Sequence, residues 1–264
     1  MPESNINPQH IAKASIAKSF SDAATQYDEF AHIQHVLAKT LLELCPQTDK
    51  QTVLDLGCGT GYCLPLLQKI YTKANITGAD LAQGMLDHAS KKHPQFNYQI
   101  ADAEALPFKK ESFDLIFSNL AVQWCDDFSQ VLSEAYSVLK PGGHLVLSTL
   151  ADGTLIELKQ AWASVDGHQH VNQFESQIHL QSMIEKSKFT ALQVAFNTHI
   201  DFHPNVRSLT DSLKRIGAHN ITQGRAKGLT TPGMIRQFKK SMEGFKCEQG
   251  LPARYVVLNV VLQK

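Results

Sequence analysis

Val53-Leu54-Asp55-Leu56-Gly57-Cys58-Gly59-Thr60-Gly61 is the stretch that decides the fold. A short apolar run meets three glycines at alternate positions, and a helical pattern follows through about Tyr71. A glycine loop that closes a strand and opens a helix is the context in which backbone N–H groups meet a ligand. Gly57, Gly59 and Gly61 allow positive φ and let a ligand approach without Cβ interference. The spacing is GxGxG rather than the GxGxxG of dinucleotide enzymes, which fits a ligand without a pyrophosphate. Asp55, two residues before the first glycine, suits an ammonium group near the loop and repels phosphates.

Outward from this loop, strands and helices alternate. Residues 75–80, 98–101, 113–118 and 144–149 read as further strands. Helical patterns cover 84–92 and 126–139, and Lys140-Pro141-Gly142-Gly143 reads as a sharp turn. Five strands at this rhythm predict a parallel sheet with helices on both faces. Upstream, 9–45 reads as helical and Pro46 stops it. Downstream, 154–165 and 180–187 read as helices and 192–202 and 254–262 as strands. Segment 205–252 reads as helix and loop.

Three polar residues fall at strand ends. Asp80 ends the second strand, where a carboxylate can accept both hydroxyls of a ribose. Asp102 follows the third strand, where an adenine amino group would lie. Asn119 follows the fourth. Each alone is also compatible with a turn or a helix cap. Together they cluster around the point where the strand order would reverse, the place where open α/β sheets bind ligands.

Composition narrows the classes. The chain has 264 residues, with 25 Lys+Arg against 25 Asp+Glu and 43% hydrophobic residues, which is ordinary folding material. The balance hides a split: 1–204 carries 14 basic and 22 acidic residues, while 205–264 carries 11 basic and 3 acidic, including every arginine. That asymmetry points either to an anionic partner or to a solvated basic surface. The densest apolar run, 255–262, is too short to span a bilayer. No apolar signal segment opens the chain, and five cysteines without CxxC or zinc spacing predict reduced thiols in a cytoplasm. No metal site is expected. A pI near 7.2 does not mark a nucleic-acid binder.

Residues 53–61, 80, 102 and 113–119 resemble the motif series of class I S-adenosylmethionine-dependent methyltransferases. The resemblance implies a Rossmann-like, seven-stranded, mostly parallel sheet whose last strand is antiparallel, with helical lid additions. The implied division is 1–50 as an N-terminal helical lid, 51–150 as the cofactor-binding core and 151–264 as acceptor-side insertions with the strands that complete the sheet. Asp55, Gly57, Cys58, Gly59 and Gly61 would hold the methionine part. Asp80, Leu81 and Met85 would hold the ribose, and Asp102 and Ala103 the adenine, with Asn119 nearby.

Ser118-Asn119-Leu120-Ala121-Val122-Gln123-Trp124-Cys125 is more specific. With Phe20 to Tyr27, Thr149-Leu150, Gly153 to Leu158, Ser212 to Ala218 and Gly224-Arg225, it is similar to the malonyl-[acyl-carrier protein] O-methyltransferases of biotin synthesis. That family implies methylation of the free carboxylate of malonyl-acyl-carrier protein, giving a methyl ester primer and S-adenosylhomocysteine. Tyr27, Asn119, Gln123 and Trp124 are the expected catalytic residues. Lys214 and Arg225 are the candidates for the malonyl carboxylate or the carrier's phosphate. An acidic carrier would dock on the basic C-terminal face; no nucleic acid or membrane is expected. Another small-molecule methyltransferase, of quinone or aconitate type, is the alternative. A nicotinamide dehydrogenase is disfavoured by Asp55 and the glycine spacing.

Overall fold

The computed structural model describes residues 13–218 and 231–264. β1 (Thr52–Leu56) is buried along nearly its whole length. Leu54 and Leu56 pack into one core layer and Val53 into the other. A strand covered on both faces reads as a near-continuous apolar run, which is why this stretch is legible. β2 (Asn75–Asp80), β3 (Asn97–Ile100), β4 (Phe113–Asn119) and β5 (Leu139–Leu150) continue the parallel pairing. β7 (Leu251–Gln263) runs antiparallel between β5 and β6 (Thr190–His203). The seven-stranded order is β3-β2-β1-β4-β5-β7-β6. It reverses between β1 and β4, so the C-terminal ends of these two strands flank the ligand crevice of such a sheet.

Three helices precede β1: α1 (Lys13–Ala23), α2 (Tyr27–Phe30) and α3 (His32–Leu42). α4 (Leu64–Ile70), α5 (Gln83–Lys92) and α6 (Phe128–Val138) flank the parallel strands. α7 (Ile156–Ala163), α8 (Gln177–Lys186), α9 (Val206–Arg215) and α10 (Pro232–Glu243) follow β5. Ile33 and Leu37 of α3, Leu158 of α7, Leu209 and Leu213 of α9, and Phe238 of α10 share one apolar cluster with Tyr255 and Val257 of β7. That cluster joins the first helices to the last ones over the C-terminal end of the sheet.

Two expectations need correction. Of the helical run expected over 9–45, residues 9–12 lie outside the described residues, and the rest is broken at 24–26 and at Ala31, where ψ turns to 31°. The apolar spacing of 33–41 belongs to α3, and Leu44 falls in the turn after it. The turn expected at 140–143 lies inside β5: Leu139 pairs with Phe113, the register shifts, and Gly142 adopts φ +75° while its N–H bonds to the Lys264 carbonyl. Pairing with the chain end keeps this Pro-Gly-Gly segment in the sheet. Elsewhere the element ends moved by a few residues, as capping dictates. Asp127 caps α6 by accepting from the N–H groups of Ser129 and Gln130.

Glu157 ties α7 to β7. It is 5% exposed, and its Oε1 accepts from Arg254 Nε at 3.1 Å. Arg254→Ala leaves that carboxylate buried without its cation. The expected loss is about 1–3 kcal/mol, or a melting point lower by about 2–12 °C. A thermal unfolding curve within 1 °C of wild type would contradict this reading.

Candidate active site

β1 and β4 end beside a cavity of about 110 Å³. Its floor is Leu56, Gly57 and Gly59 of the β1 loop, Asp80 and Leu81 after β2, and Ala101, Asp102 and Ala103 after β3. Met85 of α5, Asn119 at the end of β4, and Trp124 also line it. Lys13, Ile16 and Phe20 of α1, with Tyr27 of α2, complete the wall. A second cavity of about 480 Å³ lies alongside, lined by Gln34, Gln123, Trp162, His170 and Lys214 among others. Phe20, Tyr27, Leu120 and Trp124 line both. A ligand in the first cavity and an acceptor in the second would meet at these four side chains.

The two chief glycines act differently. Gly57 has φ +74°, and a Cβ there would lie 2.2 Å from the Ala121 Cβ. Its bareness serves the close passage of the 120–125 segment. Gly59 also has positive φ, but a Cβ there would meet nothing within 4 Å. Its open flank belongs to the cavity. Gly61 does not line the cavity; its Cβ would meet Ala89 at 3.2 Å, so it serves helix packing.

Asp80 holds the loop. Its Oδ2 accepts from Gly59 N at 2.9 Å and its Oδ1 from Ala82 N at 2.8 Å. Burial raises its pKa against these hydrogen bonds. Each oxygen keeps a further lone pair for a ligand hydroxyl.

Asp55 departs from expectation. It shares a strand face with Val53, opposite Leu54 and Leu56, and does not line the cavity. It is 2% exposed, and its Oδ2 has no hydrogen-bond partner among the described residues. Burial first, and the Asp80 charge second, push its carboxyl up to about 8. Asp55 therefore sits beneath the loop, outside the cavity lining. Cys58, likewise buried, is also absent from the lining.

Asp102 reaches the cavity but is engaged from above. Lys13 Nζ of α1 lies 2.5 Å from Asp102 Oδ2 and 2.7 Å from Glu104 Oε2. Burial alone would depress this lysine, but the two carboxylates outweigh it and hold its pKa above the ordinary value. Sequence reading missed Lys13 because its partners lie some ninety residues away.

Asn119 is a brace. Its Nδ2 donates to the Gln34 carbonyl at 3.3 Å, and its Oδ1 accepts from Ser148 Oγ at 3.0 Å, joining α3, β4 and β5. Leu120 then takes φ +50°, an uncommon conformation for a branched side chain. Its N–H bonds to Ser148, and Gln123 Nε2 donates back to its carbonyl at 2.5 Å. This turn presents Gln123 to the second cavity and Trp124 to both, with Phe20 edge-on to the indole at 5.3 Å.

Tyr27 is half-buried in the shared wall. Burial, then the charges of Asp80 and Asp28, raise its pKa, so it presents a neutral hydroxyl. Lys214, in the last turn of α9, lines the second cavity and has no ion-pair partner among the described residues. Arg225 lies outside the described residues. Among the described residues no group of three His, Cys, Asp or Glu side chains is placed to hold a metal, and no helix is long and apolar enough to cross a membrane.

Comparison with known proteins agrees with this geometry. Residues 54–147 match the family model described as "Methyltransferase domain". The chain is 37% identical to a malonyl-[acyl-carrier protein] O-methyltransferase of Hahella chejuensis, covering 97% of this chain and 92% of that one. It is 40% identical to the protein of the same name from Yersinia pestis, over 85% and 82% of the two chains. It is also 40% identical to a biotin biosynthesis bifunctional protein, BioHC, of Cellvibrio japonicus, over 96% of this chain but 51% of that protein. The chain thus spans about half the length of the bifunctional relatives it matches. Among solved structures, an S-adenosylmethionine-dependent methyltransferase of Mesorhizobium loti superposes with a TM-score of 0.51 at 18% identity, covering 86% of this chain and 96% of that one. The YcgJ protein of Bacillus subtilis gives 0.58, also at 18% identity, over 87% and 97%. At these identities the structures speak for the fold.

Proposed function

The chain belongs to the malonyl-[acyl-carrier protein] O-methyltransferase family, and from that premise we propose that it methylates the free carboxylate of malonyl-acyl-carrier protein. The observation that carries the reading is the pair of adjoining cavities with a common wall of Phe20, Tyr27, Leu120 and Trp124. S-adenosylmethionine is the cofactor that the lining of the smaller one suits. Gly59 offers an open flank, Asp80 offers carboxylate lone pairs for a ribose, and Leu81, Met85, Ala101 and Ala103 offer an apolar slot. At about 110 Å³ the slot is narrower than the few hundred Å³ usual for such ligands. Helices α1 to α3 therefore serve as a lid, and Lys13 releases Asp102 when the lid lifts.

When bound, the cofactor supplies an activated methyl group on a sulfonium. The chain's own task is alignment. A malonyl carboxylate is ionised at neutral pH, so no side chain need remove a proton. Phe20, Leu120 and Trp124 exclude water, which favours a reaction between opposite charges that vanish. Tyr27 contributes a neutral hydroxyl at the junction, and Gln123 contributes a side-chain amide to the acceptor cavity. Asn119 shapes both through the 120–124 turn. Lys214 attracts the malonyl carboxylate or the carrier's phosphate, with Arg225 as the second candidate.

The basic C-terminal excess supports a docking face for an acidic carrier. Arg215 and Arg254 are spent within the fold, on Gln26 and Glu157. Lys214 of α9 and Arg236, Lys239 and Lys240 of α10 are exposed and without ion-pair partners among the described residues. Lys214→Ala and Arg225→Ala are each expected to raise the KM for malonyl-carrier severalfold with little change in kcat, because each removes uniform binding. Wild-type KM should also rise with salt. Salt-independent KM values would return these residues to a solvated surface. The substrate class is tested by offering malonyl-carrier, malonyl-coenzyme A and aconitate in competition, with the carrier expected to take the label. We also place the reaction in the cytoplasm; all five cysteines are unpaired.

A further inference from the structure

α2 is four residues long, and none of the four is fully buried. One turn of helix cannot hold itself in place. Yet it presents Tyr27 to both cavities. Polar contacts hold it instead, and they converge on Asp28. Asp28 Oδ1 accepts from Thr60 Oγ1 at 2.6 Å. Its Oδ2 takes Lys92 Nζ at 2.6 Å, and His35 Nε2 lies 3.5 Å from Oδ1. Thr60 is 2% exposed and sits between the two downstream glycines of the loop. Lys92 ends α5, the helix that also carries Met85. His35 belongs to the first turn of α3 and stacks on Tyr62 at 3.7 Å.

One carboxylate thus draws the glycine loop, α5 and α3 together beside Tyr27. Burial would raise its pKa, but the hydrogen bonds from Lys92 and Thr60, with the His35 ring close by, win and hold it below the usual carboxylate range. The other side of α2 is held by α9. Arg215 Nη1 donates to Gln26 Oε1 at 2.5 Å, and its guanidinium lies 4.8 Å from the centre of the Phe30 ring. α2 is therefore strung between the cofactor loop and the helix that carries Lys214.

We propose that Asp28 is a positioning residue for methyl transfer: its carboxylate fixes Tyr27 against the glycine loop, so that the wall between the two cavities closes in register with the cofactor. This rests on the methyl-transfer reading above. It assigns Asp28 no contact with substrate; its effect passes through Tyr27 and the loop.

The test uses the full chain with S-adenosylmethionine and malonyl-carrier. Asp28→Asn keeps the side-chain size and an acceptor for Thr60 but removes the charge. The expected result is a kcat lower by about tenfold, KM for malonyl-carrier within about twofold, and S-adenosylhomocysteine binding weakened by about threefold or more in calorimetry. In a Tyr27→Ala background the same substitution should lower kcat by less than about twofold, since coupled residues are not additive. Thr60→Val should reproduce the pattern if Asp28→Asn folds poorly. The proposal is overturned if the kcat loss is as large with Tyr27→Ala as without it, or if only the melting temperature changes. Should the wild type bind S-adenosylhomocysteine yet leave malonyl-carrier unmethylated, the functional reading fails. Asp28 is then judged on affinity alone, and equal dissociation constants for wild type and Asp28→Asn overturn its role.

Discussion

Gly57→Ala is expected to lower stability by about 2–5 kcal/mol and to abolish measurable S-adenosylhomocysteine binding. Two costs add. At φ +74° an L side chain lies in the left-handed region, worth about 1–2 kcal/mol. The new Cβ would also fall 2.2 Å from the Ala121 Cβ, and overpacking of this kind costs about 1–3 kcal/mol or more. Neither group can swing aside, because Ala121 begins the 3₁₀ turn Val122–Trp124 and Leu120 is pinned to Ser148. Relief must displace Trp124, and with it the wall of both cavities. A melting point lower by about 4–20 °C follows from the size of the loss. Gly59→Ala is the contrasting control. It meets nothing within 4 Å, so stability should fall by only about 1–2 kcal/mol, while the methyl group enters space the cofactor needs. A Gly57→Ala protein melting within 3 °C of wild type, or a Gly59→Ala protein with unchanged affinity, would contradict the division of labour between the two glycines.

Asp80→Ala is expected to weaken S-adenosylhomocysteine binding by about 100-fold or more. Two ligand hydroxyls on an ionised acceptor contribute about 1.5–3 kcal/mol each, and every 1.4 kcal/mol is about tenfold in affinity. The substitution also frees the N–H groups of Gly59 and Ala82, which Asp80 accepts at 2.9 and 2.8 Å. Asp80→Asn keeps one carbonyl oxygen and should fall between the two. Calorimetry reads both variants. A loss below about fivefold for alanine would remove Asp80 from the cofactor site.

The central part of the fold was legible because β1 to β5 carry their own signals. Each parallel strand is a short apolar run, and the residues at their C-terminal ends lie where the order reverses between β1 and β4. Asp80, Asp102 and Asn119 came together for that reason. Asp55 did not, because alternation along a strand fixes which residues share a face without saying which face meets the ligand. Its neighbours Leu54 and Leu56 turned toward one layer, and Asp55 followed Val53 toward the other.

What stayed illegible depends on contacts distant in sequence. Lys13 meets Asp102 and Glu104, Asp28 meets Thr60 and Lys92, and Arg215 meets Gln26. No periodicity announces such pairs. The split of 9–45 into three helices was hidden for a similar reason, since α2 is held by partners in the β1 loop and α9 rather than by its own spacing. The charge split between the two parts of the chain was visible at once. Its meaning sharpened when Arg215 and Arg254 proved to be internal ties. The proposed docking face then rests on Lys214 and the α10 cations.

The most direct measurement of the central claim is the mass of malonyl-acyl-carrier protein after incubation with the purified chain and S-adenosylmethionine. The expected result is a gain equal to one CH₂ unit on the malonyl group, lost again on mild ester hydrolysis, with S-adenosylhomocysteine formed in equal amount. An unchanged carrier mass, alongside a relative that methylates the same preparation, would contradict it.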